Sequence, residues 1–323
     1  MEQDRKSPIL SCLEVTFEEF NAGIVALDGR TDLVGPELGP WRQETLYLDG
    51  AHLQIMMEGG ANTYTGGGSP DFISFGVSLH CPEPIYVTGV RLMDCRMALI
   101  RPGETVSSFA VAECCYCVFT IPVDRCVRSC ENYCPLLTER LLTGSAVLEI
   151  SKKNWRRIVL LIERVMRVAR SGEIFTNRNV QVVVAEELIR ALLDAVASRI
   201  PASTPIGRPR SPRRQVVARV GEYLKAVDTY PGSVAEMARY VGIPERTLRS
   251  IVREMLGVTP KRLMKMKKLN DIHQALLQES GPRTVTEIAV EHGEWELGRL
   301  ARNYHDIFGE YPSETLATRC GCA

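Results

Sequence analysis

Histidine is scarce in this chain, with five in 323 residues, and the scarcity excludes a class of chemistry. The first half of the sequence holds only His52 and His80, far apart and without a His-x-His pair. A metal-dependent barrel enzyme of the cupin-like kind needs clustered His and acidic ligands, and none are in sequence reach. Long apolar runs are missing as well. The longest, 158–162 and 182–185, are soon broken by charges, far short of the ~18 residues a membrane-spanning helix requires. The opening residues Met1-Glu2-Gln3-Asp4-Arg5-Lys6 lead into no signal-peptide apolar region. The Gly-rich stretch 59–68, GGANTYTGGG, lacks the lysine and following hydroxyl of a phosphate loop and is expected to be a flexible hairpin tip. These absences predict a cytoplasmic chain that does not touch membrane, holds no cofactor and no metal, and is not an enzyme.

Net charge is also lacking, since 39 Lys and Arg offset 39 Asp and Glu. The balance hides an asymmetry. Residues 208–323 hold 19 basic against 14 acidic side chains, and within 208–275 the count is 15 against 6. One segment is therefore suited to a polyanion while the remainder is not.

Eleven cysteines are present, an odd number with no secretory signal, so reduced thiols are expected rather than a disulfide framework. Cys114, Cys115 and Cys117 fall in an expected strand. Cys126, Cys130 and Cys134 recur every four residues and would share a helix face, although Pro135 limits that helix. Such thiols either fill a core as small apolar groups or form a redox or soft-metal sensor spanning Cys114 to Cys134.

Short strand signals at 45–48, 53–57, 73–77, 86–92, 97–100 and 117–121 are separated by Gly and Pro clusters, which predicts an antiparallel sandwich or barrel. Residues 154–169 and 179–200 then carry apolar positions at three- and four-residue spacings, the pattern of two helices. Their apolar faces suit either the core of the first domain or a dimer interface. The stretch 201–212 is rich in Pro, Ser and Gly and reads as a linker. The basic run Arg208, Arg210, Arg213 and Arg214 at its end suits a solvated linker, a phosphate contact or reach into a minor groove.

Beyond the linker the chain repeats itself. Ser233-Val234-Ala235-Glu236-Met237-Ala238 matches Thr284-Val285-Thr286-Glu287-Ile288-Ala289, each a hydroxyl residue with Glu three positions on. Each block reaches a glycine four residues after its alanine, Gly242 and Gly293, where a turn needs positive φ. A second helix follows in each, ending at Gly257 and Pro260 or at Gly309 and Pro312, with one extra residue in the second turn. Between them, 260–278 places Leu263, Met266, Leu269, Ile272 and Leu276 on one face of a long joining helix.

This arrangement of two helix-turn-helix units resembles the AraC/XylS family of bacterial transcription regulators over about 216–316. The segments that carry it are SVAEMARYVGIPERTLRSIVREMLGVTPKRLMKMKKL and TVTEIAVEHGEWELGRLARNYHDIFGEYPSETL. The ending FGEYPSETL resembles a subset that includes ethanolamine-operon-type regulators. Two positions depart from the family, which usually has Phe where Glu294 and Leu300 stand. Trp295 and Leu297 are expected to supply the missing apolar contact.

The fold class expected is α+β: a β-rich N-terminal domain, cupin-like or sandwich, with helices, then an all-α domain of two tandem helix-turn-helix units. The boundaries read as 1–200, with strands to about 123 and helices over 150–200, a linker over 201–214, and a DNA-binding domain over 215–323. In a helix-turn-helix the second helix enters the major groove of double-stranded DNA. With Leu248, Ile251, Val252 and Met255 turned inward, Arg246, Thr247, Arg249, Ser250 and Arg253 face outward. Arg246 and Arg249 suit bidentate contact to guanine, and Arg253 suits phosphate. In the second unit Arg299 and Arg302 face outward beside Gly298. There the segment 276–323 holds 4 basic against 8 acidic residues, so the first unit is expected to supply most of the binding. Lys261, Arg262, Lys265, Lys267 and Lys268 crowd the joining helix, some as its wet face, while Lys261 and Arg262 near the end of the first unit suit phosphate contacts. The resemblance further implies a small-molecule effector bound by the N-terminal domain, a homodimer and, for an activator, contact with RNA polymerase.

Overall fold

In the computed structural model burial alternates cleanly along the strand Gly60–Gly68, whereas strands such as Phe72–His80 bury continuous runs because both of their faces are covered. The structure describes residues 10–83, 85–133, 136–143, 147–172, 174–198, 212–226, 232–279 and 281–320. The N-terminal domain runs β1 (Leu10–Val15), α1 (Phe17–Phe20), β2 (Leu27–Glu37), β3 (Trp41–Leu48), β4 (Ala51–Glu58), β5 (Gly60–Gly68) and β6 (Phe72–His80). It continues with β7 (Ile85–Val87), β8 (Val90–Leu92), β9 (Arg96–Ile100), β10 (Thr105–Ala110) and β11 (Cys114–Pro122). Then come α2 (Val123–Tyr133), α3 (Leu136–Thr143), β12 (Val147–Glu149), α4 (Lys152–Ser171) and α5 (Arg178–Ala197).

The strands form two antiparallel sheets, ordered β1-β3-β4-β11-β6-β9-β12 and β2-β5-β10-β7-β8. Between the sheets lies a core that includes Tyr64, Val87, Val106, Ile100 and Cys114. The other face of the larger sheet carries α2 to α5, whose Ile158, Ile162, Leu188 and Leu192 join Phe75 and Phe119 in a second core. That places the apolar stripes of α4 and α5 inside the domain. β11 is buried nearly throughout because it is central in its sheet and covered on both faces.

Two local expectations are corrected. The Gly-rich stretch 59–68 is no hairpin tip but β5, paired with both β2 and β10. Tyr64 requires Gly66 in β5 and Gly29 in the neighbouring β2: a Cβ on Gly66 would lie 2.1 Å from the Tyr64 hydroxyl, and one on Gly29 2.5 Å from its ring. The segment 86–92 is two strands, not one, because Thr88 and Gly89 both take positive φ and fold it into a hairpin.

The C-terminal part is helical: α6 (Pro212–Ala226), α7 (Val234–Val241), α8 (Glu245–Leu256), α9 (Pro260–Gln278), α10 (Val285–Glu291), α11 (Leu297–Phe308) and α12 (Pro312–Cys320). Residues 199–211, with Arg208, Arg210 and most of the expected linker, lie outside the described residues. A third core joins the two parts. Phe17, Leu33, Val34, Trp41 and Phe109 of the N-terminal domain pack with Val217, Leu256, Leu263 and Ile272 of the helical one.

Candidate nucleic-acid interface

Both repeated blocks start as their sequences dictate. Ser233 accepts from the Glu236 amide while Glu236 caps the Ser233 amide, and Thr284 with Glu287 does the same. Gly242, at φ +80°, ends α7 in the left-handed region and turns the chain into α8. Arg219 of α6 donates to the Val241 and Tyr240 carbonyls at 2.9 and 2.6 Å, satisfying the end of α7. Leu248, Ile251, Val252, Met255 and Leu256 are buried on one side of α8. The opposite side exposes Arg246, Thr247, Arg249, Ser250 and Arg253, as the spacing requires. Two partners on this surface were not visible in the sequence pattern. Glu245 pairs with Arg249 one turn on, with 2.8 Å to Nε, and Arg213 of α6 pairs with Glu254.

The second unit has the same plan with different packing. Leu300, Tyr304 and Ile307 are buried on α11, while Gly298, Arg299 and Arg302 are exposed. Trp295 and Leu297 do not supply the missing apolar contact, since they are 74% and 38% exposed. The contact comes instead from α9. His273 stacks on Phe308 with ring centroids 4.1 Å apart, its Nδ1 hydrogen-bonds the Tyr304 hydroxyl, and that hydroxyl meets Thr315 of α12 at 2.8 Å. Lys268 closes the turn by donating to the Gly293 carbonyl at 3.0 Å and pairing with Glu294 at 3.6 Å. Glu296 pairs with Arg299 at 3.0 Å. The acidic flank is thus partly neutralised from within the domain, at the expense of one outward arginine.

The basic residues of α9 are less available than their count implied. Lys261 and Lys265 face solvent, but Lys267 pairs with Asp271 at 2.7 Å and Arg262 donates to the Val34 carbonyl at 3.0 Å. Sequence reasoning also missed Asn270, which is 1% exposed. Its Oδ1 accepts from the Leu33 amide at 3.0 Å and its Nδ2 donates to the Leu33 carbonyl at 2.9 Å, so one amide side chain binds β2 as a neighbouring strand would. The signal was present, since Asn270 stands four residues after Met266 on the apolar stripe, where a polar residue needs a partner.

A cavity of about 800 Å³ lies beside this clasp, between β2, β5 and β10 on one side and α6 and α9 on the other. Asp28, Arg30, Tyr64, Ser108, Lys267 and Gln274 are among its lining residues. Arg30 pairs with Asp32 and with Asp271, each at 2.6 Å. Burial pushes the Asp32 carboxyl above the usual carboxylate range, with Arg30 and Lys267 pulling it back. Arg30 Nη2 and the Tyr64 hydroxyl are buried without a hydrogen-bond partner among the described residues.

The cysteine run does not gather into one site. Cys114 lies between the sheets, whereas Cys117, Cys126 and Cys130 belong to the core under α2 to α5. Cys134 lies outside the described residues. Among the described residues no group of three or more His, Cys, Asp or Glu side chains is placed to hold a metal ion, and no helix is long and apolar enough to cross a membrane.

Residues 237–318 match the protein family described as a helix-turn-helix domain. The chain is 38% identical over 85 residues to the XylDLEGF operon transcriptional activator of Pseudomonas putida, covering 26% of each protein. It is 36% identical over 104 residues to the probable thc operon regulatory protein of Rhodococcus erythropolis, covering 32% of this chain and 31% of that one. The chain thus spans about a quarter to a third of the length of these curated relatives. Among solved structures, a probable AraC family transcriptional regulator from Rhodopseudomonas palustris is 34% identical, over 32% of this chain and 95% of that one, with a TM-score of 0.31. The C-terminal part of the chain is a helix-turn-helix domain similar to those of AraC-type regulators.

Proposed function

We propose, from this AraC-type helix-turn-helix domain, that the chain is an AraC/XylS-family transcription regulator that reads double-stranded DNA in the major groove and activates transcription. The observation that carries the reading is α8. Five polar or basic side chains stand exposed along one face of a helix whose other face is locked into the core. That is what insertion into the major groove demands. Arg246 and Arg249 are assigned to guanine edges, Thr247 and Ser250 to adjoining bases, and Arg253 to phosphate. Arg299 and Arg302 of α11 serve as the weaker second reader. The activator named among the relatives supports activation, through contact with RNA polymerase. The ending Phe308-Gly309-Glu310-Tyr311-Pro312 supports the ethanolamine-operon-type subset.

On this reading, residues 1–200 sense and dimerise, 201–214 link, and 215–323 bind DNA. A homodimer is supported by the exposed apolar side chains Leu160 and Val168 on α4 and Val183 on α5. The cavity between the domains is the place for a small polar effector. Arg30 Nη2 would donate to it, giving that buried group the partner it lacks among the described residues.

Selection from a pool of random duplexes tests the core of the proposal. The full chain should enrich one motif, and binding to that motif should weaken linearly as log salt rises. Recovery of sequences no different from the starting pool would remove the specific-regulator reading.

A further inference from the structure

The residues around Cys114 form a site of their own, independent of what the C-terminal domain binds. Cys115 pairs with His80 across β11 and β6. Continuing that antiparallel register by one residue sets Cys81 opposite Cys114, and the Cys81 thiol donates to the Cys115 carbonyl at 3.2 Å. Cys114 is buried and Cys81 is partly open to solvent. On its other side Cys114 Sγ lies 3.2 Å from Glu58 Oε2. Glu58 is itself 5% exposed and is held by the Tyr116 hydroxyl at 2.7 Å and by Asn62 Nδ2 at 2.8 Å. That carboxylate already accepts the Cys114 thiol's hydrogen bond, which is where a base for Cys114 must stand.

We propose that Cys81 and Cys114 are a dithiol that a hydroperoxide oxidises to a disulfide, with Cys81 as the attacking thiol, Cys114 as the resolving thiol and Glu58 as the base. The accessible thiol is also the more acidic one. The side chain of Cys114 pulls Cys81 down to about 6 against its burial, while Cys81 and burial push Cys114 far up. The Cys81 thiolate attacks an oxygen of the hydroperoxide. The O–O bond breaks, an alcohol or water leaves with a proton from solvent, and Cys81 becomes a sulfenic acid. The Cys114 proton, already directed at Glu58 Oε2, then passes to that carboxylate. Cys114 sulfur then attacks the sulfenic sulfur, the S–O bond breaks, and hydroxide leaves as water with the proton from Glu58. Two thiols lose two electrons in total, and one hydroperoxide is reduced to an alcohol, or to water when it is hydrogen peroxide, with release of one further water.

The test uses the full chain and about one equivalent of hydrogen peroxide near neutral pH, followed by thiol blocking, digestion and mass spectrometry. The expected product is a peptide pair joined through Cys81 and Cys114. C114S should arrest at the sulfenic acid and yield a dimedone adduct on Cys81. Should C114S not fold, E58Q serves instead: Cys81 should form its sulfenic acid at the wild-type rate, while closure slows by about 100-fold as for loss of a general base. Oxidation confined to the exposed Cys12, or Cys81 recovered as a free thiol, would overturn the proposal. Equal closure rates in E58Q and wild type would overturn the role of Glu58.

Discussion

On the proposed reading Arg249 would not approach DNA unengaged, because Glu245 one turn earlier on α8 already holds its guanidinium. Two magnitudes decide which partner keeps it. An exposed i,i+4 pair is worth about 0.3–0.5 kcal/mol, whereas a bidentate contact to guanine discriminates by ~1–3 kcal/mol. If α8 reads DNA as proposed, the guanine contact would therefore win over the pair with Glu245. Arg299 is tied to Glu296 in the same way but stands on a helix flanked by further acidic residues. Arg249→Ala is therefore expected to weaken specific binding by ~1–3 kcal/mol, and Arg299→Ala by clearly less. Gel-shift titrations of both variants at one salt concentration decide it, and equal losses would defeat the ranking.

At the scale of the element, the second helix-turn-helix unit rests on a buried polar group. Tyr304 is fully buried, and its hydroxyl connects His273 on α9 with Thr315 on α12. Tyr304→Phe keeps the ring but deletes the hydroxyl that both hydrogen bonds use, which is expected to cost ~1–3 kcal/mol in a urea melt. Trp295→Ala, on the exposed turn, is expected to change stability by less than ~0.5 kcal/mol. The reverse order would mean that the turn, not α9, holds the unit together. This contrast marks what the sequence disclosed. Capping boxes and the turn glycine Gly242 were legible because their partners sit within four residues of each other. The His273 contact was not, because it joins residues 31 positions apart and replaces the usual aromatic from an unexpected direction. β2 was hidden for a related reason. Gly29, Gly35 and Pro36 weaken its strand pattern, and the partners that fix it lie elsewhere in the chain, β5 along its edge and Asn270, 237 residues after Leu33. The outward face of α8 was fully legible, and its ion pairs with Glu245 and Arg213 were not.

For the molecule as a whole, the decisive contact is the one by which α9, the helix joining the two units, grips the N-terminal domain. Asn270 satisfies both the amide and the carbonyl of Leu33, Arg262 binds the next carbonyl at Val34, and Arg30 reaches across to Asp271. These bonds lie in the core shared by the two domains, which ties the domains to each other through the same helix that sets the units apart. The cavity opens on this clasp, with Arg30, Asn270 and Asp271 among its walls. A ligand that drew Arg30 away from Asp271 would therefore loosen the clasp and so act on the DNA-binding domain through α9. Asn270→Ala tests whether the clasp is a separable joint without any ligand. Leaving the buried Leu33 amide and carbonyl unsatisfied costs ~1–3 kcal/mol for each group. Hydrogen exchange at the Leu33 amide should then accelerate by ~10-fold or more through local opening, while amides of the α5 core around Leu188 and Leu192 keep their protection. If exchange rises equally in both places, Asn270 supports the fold in general, and the clasp does not open on its own. If it rises at neither, Arg262 and the shared apolar core hold the domains together unaided, and an effector could not act by moving Arg30.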